Sequence, residues 1–488
     1  MSATTGSKSA RNSARGPLFA IALALGLAAG HAEAAEWFVS TLGNDGTGTG
    51  SISAPFRTLN FVLDPANEIV QANDTVTLRG PAGNTIYNEC EVRLRVPLTL
   101  RSQPGEWARI HCAISVEDSI AVQIDPDASG SRLSRIEISG GAIYAVFLQT
   151  DWEQVGNTAG RGASNIVIED CILRDSGRDV VKITPKSNDV TIRRCEIYGS
   201  GQIYPPGTPL EEKNAEGIDN VNSARMTVED NYIHDIATSG VYFKGGATDA
   251  LVQRNVIERV GEGGILVGFD TSPEFFDLTE NPGYFEAIRG IVRNNLIRDT
   301  GRAGIGLYAS RDAIIANNTL LRTANIGQAA IYFGVTLQDF DPVAGRPASV
   351  NPRIVNNLVK TTGAACIGIR WANELGGLSG LSGSPGSNFQ WFDDGSACSF
   401  FDGRPGSAIE DGGNLAAWRL QTGADTASIE APVSLAADGR LLPTSAVIDR
   451  GTTLAEVTDD IDRESRSAPL DIGADELDLS EVFRDGFE

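Results

Sequence analysis

Two short stretches, IEDCIL at residues 168–173 and IRRCEI at residues 192–197, decide the fold of this chain. Each begins and ends with an aliphatic residue and carries mostly polar residues between, and the pattern returns five times: VEDNYI (228–233), VQRNVI (252–257), VRNNLI (292–297), IANNTL (315–320) and IVNNLV (354–359). Successive fourth positions are 24, 36, 24, 40, 23 and 39 residues apart. The chain therefore carries an internal repeat with longer insertions in alternate copies.

Three aligned columns of the repeat contain aliphatic residues alone. The first and sixth positions of the pattern give two of them, and a later strand gives the third, which reads Val181, Ile218, Val241, Ile265, Ile305, Ile331 and Ile367. A single coil cannot bury its apolar face, so such columns indicate coils stacked around one continuous core. The fourth positions, Cys171 and Cys195 followed by five asparagines, predict a ladder of buried amides along the stack.

Both ends of the chain support the same interpretation. Residues 38–63, followed by NDTVTLRG at 73–80, resemble the opening of many secreted β-helix proteins, and residues 448–476 resemble their closing segment. The last residues, VFRDGFE (482–488), resemble a short tail on exported proteins of gammaproteobacteria. Together with the coil length, these stretches resemble the right-handed parallel β-helix family of secreted bacterial proteins, the pectate-lyase-like superfamily. The resemblance implies an all-β solenoid with an N-terminal cap, an irregular C-terminal segment and activity on polysaccharides.

We divide the chain into five parts. Residues 1–34 are predicted to be a secretory signal peptide, because a basic start is followed by an apolar run from Leu18 to about Ala29 and by the small residues Ala32 and Ala34. Residues 35–130 are assigned to an N-terminal cap and first coils, 131–374 to the β-helix repeats, 375–476 to an irregular capping segment and 477–488 to a tail. We expect a secreted monomer, extracellular or periplasmic, without a membrane span.

The exported chain is acidic and contains every cysteine. The formal net charge of −23 becomes −25 after residues 1–34 are removed, because Lys8, Arg11, Arg15 and Glu33 leave with them. This charge argues against a nucleic-acid partner and repels acidic sugars unless a basic cluster or a bound cation reverses the local field. An even number of cysteines in an exported chain favours disulfides.

The six cysteines form three candidate pairs. Cys90 with Cys112 and Cys366 with Cys398 are candidate disulfides. Cys171 and Cys195 hold the same column in consecutive coils, where they are either bonded or stacked as small buried residues.

A mixed acidic and basic patch is predicted on the second strand of three adjacent coils. Because strand side chains alternate between two sides, aligning DVVKIT, EGIDNV and SGVYFK predicts six outward residues. They are Asp179, Lys182, Glu216, Asp219, Tyr242 and Lys244. A long insertion at about 201–214 borders this patch, and two others lie at 269–287 and 335–349. Insertions on a solenoid gather on its binding face.

This patch suits β-elimination on a uronic acid polymer. The proton next to a carboxylate becomes acidic only when a cation neutralises that carboxylate, and a basic side chain then removes it. We assign Asp179, Glu216 and Asp219 as calcium candidates, Lys244 or Lys182 as the base and Tyr242 as an assisting group. The stretch KITPKSNDVTIRRC (182–195) is similar to a Lys-Ser segment of alginate and chondroitin lyases of this fold, which makes Lys186 a rival base.

The leading hypothesis is a calcium-assisted lyase of an acidic polysaccharide. Further candidates for substrate binding are Tyr204, His234, Arg254, Tyr308, Tyr332 and Arg370. One alternative is a non-catalytic carbohydrate-binding or cell-surface β-helix protein. Another is a glycoside hydrolase or epimerase that uses the carboxylates alone.

Overall fold

The structure of the chain is a stack of short strands joined by corners. The computed structural model describes residues 34–80, 85–152, 160–336, 346–360, 364–379, 389–393 and 398–477, without the side chain of Phe389. The predicted signal peptide, apart from Ala34, and the predicted tail, apart from Leu477, lie outside these residues. Within them the predicted all-β solenoid is confirmed, because nearly every element is a short strand paired in parallel with the next coil.

Each full coil contributes one strand to each of three faces, which we call face 1, face 2 and face 3 in chain order. Face 1 consists of Glu36–Val39, Thr75–Leu78, Thr99–Ser102, Arg132–Ser134, Val167–Glu169, Thr191–Arg193, Thr227–Glu229, Leu251–Gln253, Ile291–Arg293, Ile314–Ala316, Arg353–Lys360, Phe389–Phe392 and Ile429–Glu430. Face 2 consists of Thr85–Asn88, Ala108–Cys112, Glu137–Gly140, Ile172–Arg174, Glu196–Tyr198, Tyr232–Ile236, Val256–Val260, Leu296–Thr300 and Thr319–Leu321, and it joins face 1 through Arg353–Lys360.

Face 3 carries the residues of the predicted patch. Its strands are Val92–Leu94, Ile120–Ile124, Tyr144–Leu148, Val181–Ile183, Ile218–Val221, Val241–Lys244, Ile265–Val267, Ile305–Tyr308, Ala329–Gly334, Ala365–Ile369 and Ser399–Asp402. Three two-residue strands, Ala247–Thr248, Ala287–Ile288 and Ser310–Arg311, pair beyond it, and Trp371–Ala372 pairs antiparallel with Leu375–Gly376.

The register of the strands matches the aliphatic columns. Val181 pairs with Ile218, which pairs with Val241, and the column continues to Ile367 as predicted. All seven side chains of this column are fully buried. Because burying one aliphatic side chain contributes about 1.5–3 kcal/mol, a column of this kind is a large share of what holds the coils together.

The predicted amide ladder is present and continuous. Asn231 donates from Nδ2 to Oδ1 of Asn255, and Asn255 donates in the same way to Asn295, each at 3.0 Å. The ladder continues through Asn318 and Asn357 to Gln390. Each side chain also bonds to the main chain of a neighbouring coil, so the buried amides are satisfied only when the coils are in register.

The corners between faces carry a second regular feature. We call them corner 1 (between faces 1 and 2), corner 2 (between faces 2 and 3) and corner 3 (between faces 3 and 1). In each, successive coils have a residue with a left-handed backbone. Aspartate alternates with arginine at this position over part of each corner, and asparagine or glycine occupies it in other coils, as at Asn294, Gly199 and Asn351. The resulting ion pairs are Asp170–Arg194 and Asp230–Arg254 at corner 1, Asp235–Arg259 and Asp299–Arg322 at corner 2, and Asp189–Arg225 and Asp249–Arg289 at corner 3.

Short helices lie at both ends of the stack. Leu59–Leu63, capped by the hydroxyl of Thr58, buries three side chains in the core at the start of face 3. At the other end Leu415–Thr422 begins at Asn414, ends at the left-handed Gly423 and packs Trp418 against Phe400. The remaining one-turn helices are Pro65–Asn67, Pro126–Ala128, Leu210–Glu212 and Pro273–Phe275.

The C-terminal residues 449–477, which we call the strap, fold back along corner 1. Asp459 accepts from Arg254 at 2.6 Å, and Thr452 donates its N–H to Oδ1 of Asn356 at 2.9 Å. The side chain of Arg466 is fully buried and donates to Glu476 and to Oδ1 of Asn294. The strap therefore contacts the corner-1 residues of several successive coils.

Candidate functional site

Three carboxylates meet where the chain enters face 3 in two successive coils. Asp179 and Glu216 precede the strands Val181–Ile183 and Ile218–Val221, and Asp219 lies within the second. One carboxylate oxygen from each of the three lies within 4.8 Å of the others. Asp179 and Asp219 are 0% exposed and Glu216 is 4% exposed. We call Asp179, Glu216 and Asp219 the carboxylate cluster.

Local sequence explains why these groups come so close. Lys182, Asp219 and Tyr242 pair across three coils, as predicted from the alternation of strand residues. Gly217 follows Glu216, and a Cβ added there would lie 2.4 Å from the carbonyl oxygen of Gly240 in the next coil. Only glycine fits this close approach, which brings the entrances to face 3 together.

Each member of the cluster is only partly hydrogen-bonded. Oδ1 of Asp179 accepts from the N–H of Glu216 at 3.2 Å, and the hydroxyls of Thr238 and Tyr242 donate to Glu216 at 2.8 Å and to Asp219 at 3.0 Å. Among the described residues, Asp179 Oδ2, Glu216 Oε2 and Asp219 Oδ1 have no hydrogen-bond partner. Three buried carboxylate oxygens without a donor form a set of hard ligands that fits a cation such as calcium.

Lys182 supplies the positive charge that contacts the cluster. Its ammonium contacts Asp219, and Nζ lies 3.5 Å from Oδ2 of Asp179. Burial lowers the pKa of Lys182, and the charge of Asp179 opposes that effect. Burial, reinforced by the charge of Asp179, raises the pKa of Glu216 well above its ordinary value. Burial also raises the pKa of Tyr242, whose hydroxyl donates a hydrogen bond to Asp219.

The prediction that these carboxylates face solvent is wrong. Their positions in the repeat are as predicted, but Lys182 and Tyr242 pack against them, and Tyr242 itself is 1% exposed. The groups that do reach an open space are Lys182 and Lys244, which border one cavity of about 140 Å³ on the outer side of face 3. We call it the lysine cavity.

The lysine cavity combines cationic, hydroxyl and aromatic groups. Besides the two lysines it is bordered by Trp152, Thr184, Pro185, Val221, Asp270, Thr271, Ser272 and Phe275. Lys244 donates to the carbonyl oxygen of Asp270 at 3.0 Å, and its ammonium lies 4.4 Å from the centre of the Tyr242 ring. Lys244 thus contacts a main-chain oxygen and an aromatic ring, whereas Lys182 contacts two carboxylates.

The second and third insertions are tied together by a buried ion pair. Nε of Arg346 lies 3.0 Å from Oε1 of Glu286, and both side chains are fully buried. Thr271 and the N–H of Gly245 donate to the other carboxylate oxygen at 2.7 and 2.8 Å. Burial raises the pKa of Glu286 to about 7, against the lowering effect of these hydrogen bonds and of Arg346. Residues 337–345 of the third insertion lie outside the described residues.

Lys186, the predicted rival base, lies apart from the carboxylate cluster. Its Nζ is 2.6 Å from Oδ2 of Asp277 in the second insertion. It borders a separate polar cavity of about 350 Å³ at corner 3, together with Arg225, Arg289 and Arg311. The structure thus places Lys186 where it fastens a loop.

Arg254 and His234 are also separated from the lysine cavity. The side chain of Arg254 is 8% exposed and is held by Glu229, Asp230 and Asp459 beneath the strap, so the prediction that it contacts substrate does not fit its burial. His234 lies on face 2, stacked between two tyrosine rings at 4.9 and 4.1 Å. That position is on another side of the solenoid.

The predicted aromatic residues fall into two groups. Tyr308 and Tyr332 are 5% and 4% exposed and form a buried row with Tyr242 and Phe269 on the outer side of face 3. Burial raises the pKa of Tyr332, and the nearby charge of Arg370 opposes that effect. The hydroxyl of Tyr204 accepts from the N–H of Asn214 at 2.9 Å and so closes the first insertion. These contacts account for the three tyrosines as packing groups.

Two of the candidate disulfides are formed. Cys90 is bonded to Cys112 and Cys366 to Cys398, with Cα atoms 4.6 and 5.6 Å apart. Cys171 and Cys195 are free, buried thiols whose Sγ atoms donate to main-chain carbonyl oxygens of Glu169 and Arg193. Of the two alternatives for this pair, the structure shows stacked thiols.

Sequence reasoning missed Trp152, Thr271 and Ser272 at the lysine cavity. Trp152 lies shortly after the end of the strand Tyr144–Leu148. It belongs to no column of the repeat, so no periodic pattern in the sequence indicates it. The one available indication is its position in a polar stretch of sequence outside the repeat.

A second acidic group at the strap, Asp460, Asp462 and Asp475, is occupied by internal contacts. Asp460 accepts from the N–H groups of Asp462, Glu464 and Glu476, and Asp475 accepts from that of Leu441. Its role is therefore to shape the strap.

Comparison with known proteins agrees with the fold described above. The family model described as a right handed beta helix region matches residues 160–277. The solved structure of pectate lyase Pel9A is similar at 12% identity, over 91% of this chain and 96% of that chain, with a TM-score of 0.53. No curated protein sequence matches. The chain therefore has the right-handed parallel β-helix fold, and identity at this level shows the fold alone.

Other similar structures have different activities in their names. The A-module of the mannuronan C-5 epimerase AlgE4 from Azotobacter vinelandii is 13% identical over 75% of this chain and 89% of that chain, with a TM-score of 0.39. PfbA, a surface adhesin of Streptococcus pneumoniae, is 11% identical over 70% and 83%, with a TM-score of 0.44. Within the described residues, none of the helices could span a lipid bilayer.

Proposed function

We propose that this chain is a lyase that cleaves a uronate-containing polysaccharide by β-elimination. The observation that carries the proposal is that Lys182 and Lys244 border one surface cavity, next to three buried carboxylates. In a chain with a formal net charge of −23, Lys182 and Lys244 offer an acidic sugar two cationic contacts in one cavity.

The two lysines have different environments and therefore different proposed roles. Lys182 is held between Asp219 and Asp179 and acts as the fixed cation that neutralises the substrate carboxylate. Lys244, which donates to a main-chain oxygen and lies over the rings of Tyr242 and Phe269, acts in its neutral amine form and takes the proton from the carbon next to that carboxylate. The electron pair of that C–H bond forms a carbon–carbon double bond, the bond to the glycosidic oxygen breaks, and that oxygen takes up a proton.

Calcium fits the carboxylate cluster and would be held by Asp179, Glu216 and Asp219. Each offers a buried oxygen without a hydrogen-bond partner, and three ionised carboxylates against the ammonium of Lys182 leave two negative charges for a divalent cation to balance. When bound there, calcium would draw negative charge from an acidic substrate.

The test is product formation from pectate, alginate and glycosaminoglycans, followed by the ultraviolet absorbance of the unsaturated product. Lys244→Met is expected to lower the rate by about 10²–10⁴-fold, as for loss of a general base. The matched control is Lys360→Met, which replaces a half-exposed lysine at the end of the Arg353–Lys360 strand. If none of the acidic polymers yields absorbance with or without added calcium, the lyase proposal fails. Absorbance that a chelator leaves unchanged removes calcium alone.

Hydrolysis is a second candidate, because Glu216 and Asp179 are close together and burial raises the pKa of Glu216. A protonated carboxyl beside a second carboxylate is the arrangement that glycosidases use. New reducing ends without ultraviolet absorbance would favour this reaction. Binding of polysaccharide without either product would favour a carbohydrate-binding protein.

A further inference from the structure

We propose that Trp152 and Phe275 form an aromatic subsite that holds one anionic sugar ring against the lysine cavity. The inference rests on the proposed function for the class of ligand, an acidic polysaccharide, but not for the reaction. Both rings border the cavity that Lys182 and Lys244 also border. The subsite therefore joins an apolar wall to two cationic groups.

Trp152 differs from most aromatic residues in the described part of the chain because much of its surface is exposed to solvent. It is 44% exposed, whereas Tyr242, Tyr308 and Tyr332 on face 3 are buried. Its indole N–H donates to Oε1 of Gln149 at 2.8 Å, so the polar edge of the ring is satisfied within the protein. What remains is an oriented apolar surface, which is costly to leave in water and suited to a ligand.

Phe275 is held in place from two directions. The side chain of Asn222 at the end of face 3 donates to the carbonyl oxygen of Phe275, and Lys186 is paired with Asp277 two residues later. The Phe275 ring lies 6.1 Å from the Trp152 ring at an angle of 72°. The two rings thus pack edge to face, and the segment that carries Phe275 is held by contacts with other coils. Because the rings are already ordered, they lose little entropy when a ligand binds.

The size and polarity of the lysine cavity define the ligand. Its volume of about 140 Å³ is well below the roughly 300 Å³ at which sites for drug-sized ligands begin, so it has room for one sugar ring. A uronate ring has an apolar face of C–H groups and a carboxylate on its edge. With that face on Trp152, the edge can meet the ammonium groups, so an acidic ring makes contacts that a neutral ring lacks.

The test is binding measured by calorimetry, with defined oligogalacturonates, oligomannuronates and their methyl esters as probes. Trp152→Ala is expected to weaken binding of the acidic oligosaccharide about three- to tenfold, the range for loss of an aromatic contact, and Trp152→Phe to restore most of it. Lys244→Met should weaken binding of the acidic form and leave the ester unchanged. Leu420→Ala, an 89% exposed residue on the C-terminal helix, is the control and should change neither.

A spectroscopic readout separates binding from a structural role. Because Trp152 is exposed, bound oligosaccharide should protect it from quenching by acrylamide, and Trp152→Phe should abolish that protection while binding persists. Unchanged affinity in Trp152→Ala overturns the subsite, as does failure of every acidic oligosaccharide to bind the unaltered chain. If oligosaccharide binds and depends on Trp152 but no product forms, the subsite stands and the proposed reaction fails.

Discussion

Single buried residues of this solenoid carry large consequences because each has neighbours in the coils above and below. Glu286 is such a residue: its carboxylate joins Thr271, Gly245 and Arg346, which belong to separate segments around the lysine cavity. Burial disfavours its charged form, so the folded chain binds a proton at Glu286 more tightly than the unfolded chain does.

This gives a pH dependence of stability with a defined sign. The pKa of Glu286 is about 7 in the folded chain against 4.5 ordinarily, so its contribution is fully present below pH 4.5 and is lost as pH rises through 7. The difference corresponds to about 3 kcal/mol in the free energy of unfolding. In denaturant titrations, Glu286→Gln should remove this dependence, and Glu280→Gln, an exposed change in the same insertion, should not. Parallel pH curves for the unaltered chain and Glu286→Gln would contradict the assignment.

The amide ladder makes a second prediction at this scale. Asn255 donates to the carbonyl oxygens of Val228 and Gln253 and to Asn295, and accepts from Asn231. Asn255→Ala leaves several buried groups unpaired, each costing about 1–3 kcal/mol, so a loss of roughly 3 kcal/mol or more in the free energy of unfolding is expected. Asn325→Ala, at an exposed turn, should cost less than about 0.5 kcal/mol.

The sequence places residues on strands more reliably than it predicts their exposure. The pairing of Lys182 with Asp219 and Tyr242 follows from the alternation of strand side chains and is confirmed. The burial of Asp179 and Glu216 depends on side chains from other coils that pack against them, and no local pattern reports that. Trp152 is invisible to the repeat because a loop residue has no counterpart in other coils.

At the scale of elements, the insertions are the parts that set the shape of the site. The second insertion, 269–287, carries Phe275 to the lysine cavity and Asp277 to corner 3. The spacing between successive repeats is enough to locate such insertions, because it increases from 23 or 24 residues to between 36 and 40 in alternate coils. It does not show where a loop docks, since the contacts of Asp277 and Phe275 are with Lys186 and Asn222 in other coils.

Removing one docking contact should loosen this insertion without unfolding the solenoid. Lys186→Ala leaves Asp277 without its partner, so faster hydrogen exchange is expected in residues 269–287. The control is Arg225→Ala, which breaks an exposed ion pair at the same corner. The partner of Arg225 in that pair is Asp189, which lies outside the insertion. Equal exchange in both variants would show that Lys186 is not a fastening residue.

At the scale of the whole molecule, the strap connects successive coils to one another along corner 1. The side chain of Arg466 is fully buried and meets Glu476, the carbonyl oxygen of Gly473 and Oδ1 of Asn294. Removing one partner of a buried pair costs about 3–5 kcal/mol. Arg466→Met is therefore expected to lower the free energy of unfolding by that amount and to raise hydrogen exchange in residues 449–477.

The path of the strap is a result that sequence could not supply. Its contacts use main-chain groups of irregular segments, as when Asn317 donates to the carbonyl oxygen of Asp471, and such contacts leave no periodic trace. A matched control is Arg440→Met, whose ion pair with Asp462 is half-exposed and should matter little. Equal losses of stability in both variants would contradict the role of Arg466.

Where aspartate alternates with arginine at the corners, the stack should tolerate the loss or gain of coils in pairs better than the loss or gain of one. Excising residues 250–289, one coil, would place Asp235 over Asp299 and Asp249 over Asp312, so like charges would face each other along two edges. Excising residues 190–249, two coils, would instead place Arg254, Arg259 and Arg289 over Asp170, Asp175 and Asp189, so opposite charges would meet at all three corners. Thermal melts of the two deletions should therefore rank the longer excision as the more stable, a parity rule for growth and loss along the axis.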